Sequence, residues 1–321
     1  MIFRRQPMRD SRLGIVLVLA AAEVFILGLM LRSLGFSGPV EAANFHTASF
    51  TPKTFSPIDA GLTPHVVIAD AQSRVVVGVS TDNLVHVQDQ SYFHGTIWGK
   101  KTLSQLLFTK TDDGVRIERP GDLANEDIFS LGLWSDERIS VEVPAGAHVQ
   151  IVRSGGADIS DLQADVVAHS NDGHITATRI RGAVDFTSDD GYLSLTDVVA
   201  PSVKLATKDG SLRFSGVDAG TLDARTDDGA VRGAHSEIAD LRVGSGSIET
   251  SDGSVRIGLR NPDLTVAART DDGRIRVNGV TQQHDDGDAS SGTIRLGNGT
   301  GSLSVASHDG SISITTNGAQ E

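Results

Sequence analysis

The sequence predicts an all-β fold, a β-solenoid (β-helix) of eight or nine or more short coils, preceded by one N-terminal transmembrane helix. Three observations predict it. A Ser/Thr-x-Asp-Gly step recurs at near-constant spacing after residue 150, apolar residues alternate with period two on each side of that step, and one long apolar run stands near the N-terminus. Composition agrees. Across 321 residues aromatics are only 5%, glycine is frequent at 35, and there is no cysteine. These values argue against a bulky aromatic core and exclude disulfide frameworks, thiolate catalysis and Cys-based metal centres. A net charge of −13 argues against nucleic-acid binding.

Residues 1–12 form a basic N-terminus with Arg4, Arg5, Arg9 and Arg12. Residues 13–31, LGIVLVLAAAEVFILGLML, carry the single charge Glu23 and would span roughly 28 Å as a helix, close to the bilayer hydrocarbon thickness. After Arg32 no basic residue occurs until Lys53, so the asymmetry predicts a cytoplasmic N-terminus and an exported remainder. The expected location is the inner (cytoplasmic) membrane, single-pass, with the C-terminal domain in the periplasm or outside the cell. A cleaved signal peptide is the competing reading, with Val40-Glu41-Ala42 as the small-residue site, but the apolar run is longer than a usual signal core. Without residues 1–31 the chain carries −15, which keeps it soluble and repels it from anionic headgroups.

Residues 32–64 hold Pro39, Pro52, Pro57 and Pro64 with three glycines and no sustained period, and read as a Pro/Gly linker. Phe45, Phe50 and Phe55 keep open the alternative that part of it packs on the following domain. Residues 65–150 alternate in segments such as HVVIADAQSRVVVGVS (65–80) and ISVEVPAGAHVQIV (139–152), and TDDGVRIE (111–118) resembles the later repeat. This section reads as a divergent β-rich start that covers the N-terminal end of the solenoid, with Lys101 to Phe108 as one short helix.

Residues 151–316 are the regular repeats, and 317–321 a tail. Aligned on one glycine, the copies are SNDGHITA, SDDGYLSL, TKDGSLRF, TDDGAVRG, TSDGSVRI, TDDGRIRV, SSGTIRL and SHDGSISI, with glycines at 173, 191, 210, 229, 253, 273, 292 and 310. The 24-residue step from Gly229 to Gly253 is longer than the others and is read as holding an extra element, GSGSIE (244–249). Apolar residues stand two and four after the glycine, as in Leu193 and Leu195 or Val255 and Ile257. A second alternating pair follows, as in Val203 and Leu205. Each unit is therefore strand, turn, strand, turn, and only stacking can bury its one apolar face. A row of hairpins in a meander or sandwich is the alternative. The turn residues are Asp172-Gly173, Asp190-Gly191, Asp209-Gly210, Asp228-Gly229, Asp252-Gly253, Asp272-Gly273 and Asp309-Gly310. Glycine is expected there for positive φ, and aspartate as a local acceptor.

The anchor, the β-rich lead-in, the junction VEVPAGAHVQIVRSGGADIS (141–160) and the serial Ser/Thr-x-Asp-Gly copies together resemble a bacterial family of putative adhesins with β-strand repeats, a domain of unknown function. The resemblance covers roughly residues 65–316. It implies an envelope-located, non-enzymatic β-solenoid and brings no catalytic residues.

Two rows carry candidate chemistry. The aspartates before the glycines would stack about 5 Å apart, and turn chemistry explains them better than a cation site, because the GGxGxDxUx nonapeptide of calcium-binding rolls is absent. Three residues after the glycine stand Arg213, Arg232, Arg256, Arg276 and Arg295, expected as an outward stripe. It could bind acidic glycans or lipid headgroups, or be neutralised by the neighbouring Asp row. His284, Asp285, Asp286 and Asp288 read as a polar loop tip rather than a metal site. No nucleophile elbow, P-loop or dinucleotide fingerprint occurs, so no catalytic residue, cofactor or metal is expected. The expected partners are the membrane, through residues 13–31, and an envelope glycan or protein. A homo-oligomer could form through an open strand edge on the last coil near Ile312 and Ile314.

Overall fold

A computed structural model describes residues 45–70, 73–98, 105–120, 129–134, 137–233, 239–281 and 290–317. The apolar segment 13–31 and the His284–Asp288 tip lie outside them. The described residues are all-β, without a helix.

Two stacks of parallel strands run through the repeats. The first contains the strands that follow the corner glycines: Ala157–Ser160, Ile175–Thr178, Leu193–Thr196, Leu212–Ser215, Val231–Gly233 and Val255–Arg260. The second contains Val166–Ser170, Val184–Ser188, Val199–Thr207, Val217–Thr226 and Ala239–Thr250. Register is set by the apolar rows: Ile175, Leu193, Leu212, Val231 and Val255 are successive partners, all fully buried. A one-residue slip would turn every such row out to solvent. A short third segment closes each coil and buries Leu162, Ile180, Val198, Val217 and Leu241. Phe186 and Phe214 are the largest side chains in this part of the interior, which is otherwise aliphatic.

The order of coils departs from the sequence at both ends. Gly301–Ser307 and Ile312–Asn317 insert between the strands of residues 239–260 and those of 264–277. At the other end, His65–Ala69 and Arg74–Val79 lie between His148–Ser160 and the outer strands Gly114–Glu118 and Arg138–Val143. Both outer coils are edged by antiparallel strands. These are Leu107–Lys110 and His86–Asp89 at one end, Ser290–Leu296 and Val280–Thr281 at the other. Antiparallel edging blunts the exposed ladder on which further parallel coils could add.

Several expectations are corrected. Ile312 and Ile314 are not on an edge: both are buried and paired on both sides, so the stated basis for self-association there is absent. SSGTIRL is not a repeat copy, because Ser290–Leu296 runs antiparallel to Leu264–Thr270 and places Gly292 opposite Ala268. GSGSIE lies in register as an ordinary repeat strand. The offset changes from 19 (Phe214 with Gly233) to 24 (Val217 with Leu241), so the extra residues precede Leu241. TDDGVRIE forms a hairpin with Leu107–Lys110, so Leu107 and Phe108 are strand rather than helix, and residues 101–104 of the expected helix lie outside the described residues. The linker reading fails from residue 45 on: Phe45–Phe50 is a strand of a three-stranded sheet with Phe93–Trp98 and Phe129–Trp134. Lys53–Thr54 pairs with His86–Asp89, Ile58 bridges Val85, and Phe55 and Ile58 pack on the core.

The Asp-Gly corners owe their residues to stacking rather than to turn geometry. None of Gly173, Gly191, Gly210, Gly229, Gly253, Gly273 and Gly310 has a positive φ. A Cβ on any of them would instead run into the carbonyl of the glycine on the adjacent coil: Gly155 for Gly173, then Gly173, Gly191, Gly210, Gly229 and Gly253, with Gly273 against Gly310. Nor is aspartate the corner acceptor. That role belongs to the buried Ser or Thr three residues before the glycine. The glycine N–H donates to this hydroxyl, at 3.1 Å for Gly191 to Ser188, Gly229 to Thr226 and Gly253 to Thr250. The hydroxyl in turn donates to the next glycine carbonyl: Ser188 to Gly173 (3.2 Å), Thr207 to Gly191 (3.1 Å), Thr226 to Gly210 (2.7 Å), Thr250 to Gly229 (2.9 Å), Ser307 to Gly253 (2.9 Å) and Thr270 to Gly310 (2.8 Å). The left-handed conformation falls at the next corner, six residues on, at Asp161, Arg179, Asp197 and Gly216.

Candidate functional site

Alternation in the first stack points the third residue after each corner glycine outward. Arg213 lies in direct register with Arg232, and the Val231–Val255 pair sets Arg256 beside Arg232. Arg256 is partnered by Ser313, and Ser313 by Arg276. Four arginines thus occupy five consecutive strands about 4.8 Å apart. On one side the row is flanked by Ser211, Ala230, Ser254, Ser311 and the exposed Arg274, and on the other by Ser215 and Thr315 among others. The strands Leu212–Ser215, Val231–Gly233, Val255–Arg260, Ile312–Asn317 and Ile275–Val277 contain no Asp or Glu. In an acidic protein this face is therefore locally cationic.

Arg295 does not belong to the row. It stands opposite Thr265 on the antiparallel edge strand of the other stack, and its guanidinium donates to the Asn298 carbonyl, from Nε at 2.9 Å. The missing member is Ser313, brought in by the insertion of the last coil.

Many cations elsewhere are neutralised in place. Lys204 pairs with Asp185, Lys208 with Asp189, Arg225 with Glu249, Arg242 with Asp218, Arg260 with Asp240 and Arg269 with Asp271. Among the described residues Arg213, Arg256 and Arg276 form no ion pair, so the expected interleaving with the aspartate row is not what the side chains do. Arg213 instead lies over the Tyr192 ring, 4.0 Å from its centroid, and Tyr192 stacks on His174 at 4.6 Å. The corner aspartates Asp209, Asp228, Asp252, Asp309 and Asp272 are exposed, four residues before the arginine row, and form an acidic rim along one border of the face.

His174 sits where the cationic face begins. Burial first, then the charges of Arg74 and Arg213, hold its imidazole below the usual range, against an opposing pull from Asp158. A depressed folded-state pKa means the unfolded chain binds the proton more readily. The contribution is therefore complete above the ordinary histidine pKa and is lost as pH falls through the folded value. His174→Gln should reduce the loss of stability between about pH 7 and 5, read from thermal unfolding at several pH values; an unchanged pH profile would refute this.

The Toastrack DUF4097 family profile matches residues 73–315. The chain belongs to that family. None of the curated proteins matches. Among solved structures, this Toastrack chain is similar to a putative cell adhesion protein from Clostridium sporogenes (10% identity, 85% of this chain and 100% of that one, TM-score 0.23). It is also similar to a putative adhesin from Parabacteroides distasonis (12%, 85% and 97%, TM-score 0.45) and one from Bacteroides fragilis (11%, 86% and 98%, TM-score 0.39).

Two polar assemblies in the Toastrack domain have no counterpart in the sequence reading. One is the corner hydroxyl ladder. The other is a buried network at the N-terminal end: Arg119 donates to Asp70 (2.8 Å) and Asp89 (3.1 Å), and the Ser73 hydroxyl donates to Asp70 (2.9 Å). Burial alone would push the Arg119 guanidinium down, but the two carboxylates outweigh it and raise it. A groove of about 450 Å³ is floored by Ala306 and walled by the Arg225–Glu249 and Arg269–Asp271 pairs; its walls are internally neutralised. Among the described residues no group of three or more His, Asp or Glu is disposed to hold a metal ion.

Proposed function

We propose that this Toastrack chain is a non-catalytic binding or adhesion module whose arginine-bearing sheet face takes anionic polymers of the cell envelope. The reading includes a single-pass anchor, residues 13–31 spanning the inner membrane, with the β-solenoid in the periplasm or outside the cell. The observation that carries it is the run of Arg213, Arg232, Arg256 and Arg276 on adjacent strands that contain no Asp or Glu. Guanidinium groups recognise carboxylate and phosphate oxygens with two parallel hydrogen bonds. The relatives described as putative adhesins and the basic flank at Arg4, Arg5, Arg9 and Arg12 support the binding and the orientation respectively. A polysaccharide-cleaving enzyme would gather carboxylates around one point, whereas the corner aspartates stand one per coil.

Arg213→Ser, Arg232→Ser and Arg256→Ser combined should weaken binding to sulfated dextran at least about 100-fold, since each lost charge-assisted contact is worth more than about 1 kcal/mol. Because Arg213 packs over Tyr192 and Arg232 has a buried Nε, binding is compared at temperatures where circular dichroism shows both proteins folded. Undiminished binding would refute the assignment.

A further inference from the structure

We infer that the small three-stranded sheet is a membrane-docking surface: the face that holds Trp98 rests in the interfacial zone of the bilayer that residues 13–31 would cross. This rests on the single-pass reading above and is independent of the arginine face. The sheet consists of Phe45–Phe50, Phe93–Trp98 and Phe129–Trp134, and among the described residues no strand of the solenoid joins it. Its three strands of six residues contain no Lys, Arg, Asp or Glu, in a chain that is 21% charged. They hold four of the 11 phenylalanines and both of the 2 tryptophans, in a chain whose repeats are otherwise poor in aromatics.

Register separates two faces. Phe93 pairs with Trp134, Gly95 with Gly132 and Ile97 with Ser130, while on the other face His94 pairs with Leu133, Thr96 with Leu131 and Trp98 with Phe129. The first face is closed at Phe93, which is fully buried without belonging to the solenoid core; a Cβ on Gly132 would run into its ring. On the second face His94 is exposed, and positions 98, 129, 131 and 133 of that same face are all large and apolar. What covers them follows from where the chain leads. Residues 32–44 join the segment 13–31 to the first strand of this sheet. That length reaches about 20 Å as a flexible coil and at most about 45 Å extended, which holds the sheet close to the bilayer surface. Tryptophan beside neutral polar residues such as His94 and Thr96 suits the headgroup level, where one part of the side chain is dry and the other wet. The exported chain as a whole is acidic and is repelled by anionic headgroups, so a sheet without charge is the part that can approach.

The test uses the full chain reconstituted in phosphatidylcholine vesicles. Both tryptophans lie in this sheet, so intrinsic fluorescence reports on it alone. Lipid brominated near the headgroup end of its acyl chains should quench roughly half or more of the emission, and acrylamide in the water should quench it poorly. The effect should belong to Trp98. Trp98→Phe should reduce bromolipid quenching several-fold, and Trp134→Phe should leave the remaining emission strongly quenched, with circular dichroism confirming both folds. Tryptophans open to acrylamide and untouched by bromolipid, in a chain that still floats with the vesicles after alkaline carbonate, would overturn the docking and leave the anchor in place. Protection from acrylamide without bromolipid quenching would overturn it too, because protein rather than lipid would then cover the sheet. Quenching undiminished by Trp98→Phe would overturn the choice of face. Release of the chain from the vesicles by alkaline carbonate would overturn the single-pass reading itself.

Discussion

Arg119→Leu should lower the unfolding free energy by about 3–5 kcal/mol, the usual cost of removing one partner of a buried ion pair. The side chain is 9% exposed and bridges Asp70, 2% exposed, and Asp89, 14% exposed. These carboxylates end two strands, His65–Ala69 and His86–Asp89, while Arg119 follows directly on Gly114–Glu118. Its loss removes the guanidinium that both carboxylates share, so the structure must either open to admit water or bind a proton. The deficit should therefore shrink in acid, where the two carboxylates are protonated and no longer need the guanidinium. Arg119→Lys keeps the charge but can serve the two carboxylates only as a point donor, and should fall between. Urea unfolding measures all three proteins. Because a stack of coils can lose its end separately, hydrogen exchange over residues 65–119 should show the loss even if the central coils stay protected. A deficit below about 1 kcal/mol would mean that solvent already reaches the network.

The repeat was readable because its chemistry is periodic. Corner glycines every 18 to 24 residues and paired apolar positions on both flanks point to stacked strands, and the same alternation places Arg213, Arg232, Arg256 and Arg276 outward. What escaped the reading is not periodic or is equivalent by period. Residues 264–277 and 301–317 carry interchangeable patterns, so nothing local to either shows that the later coil docks first. SSGTIRL passed as a copy through Ile294 and Leu296, although it has Ser291 where the true corners have Asp. The hydroxyl ladder left a visible trace: Ser or Thr stands three residues before the glycine at 170, 188, 207, 226, 250, 270 and 307. A requirement repeated that strictly inside one chain signals a buried group, whereas aspartate, equally regular, remains exposed. The Arg119 network occurs once and joins segments as far apart as Asp70 and Arg119, which no spacing rule reaches.

Gly229→Ala should cost about 3 kcal/mol, far more than the small intrinsic effect of adding a methyl group to a strand end. The new Cβ would meet the backbone carbonyl of Gly210, which cannot swing aside as a side chain can. Relief requires the two coils to part, and parting stretches the 2.7 Å bond by which Thr226 holds that same carbonyl. Gly78→Ala is the control, since a Cβ there meets nothing within 4 Å, and it should be nearly neutral. Thr226→Val tests the other half of the corner. It keeps the shape but leaves the Gly229 N–H and the Gly210 carbonyl without their partner, and should cost about 2 kcal/mol. Thr226→Ser, the residue used at position 188, should stay within about 1 kcal/mol. The corners also set the distance between coils, and hence the spacing of Arg213, Arg232 and Arg256. Gly229→Ala should therefore weaken polyanion binding at temperatures where the chain is still folded, although no arginine has changed. If Gly229→Ala proved as mild as Gly78→Ala, the close stacking of the corners would be refuted.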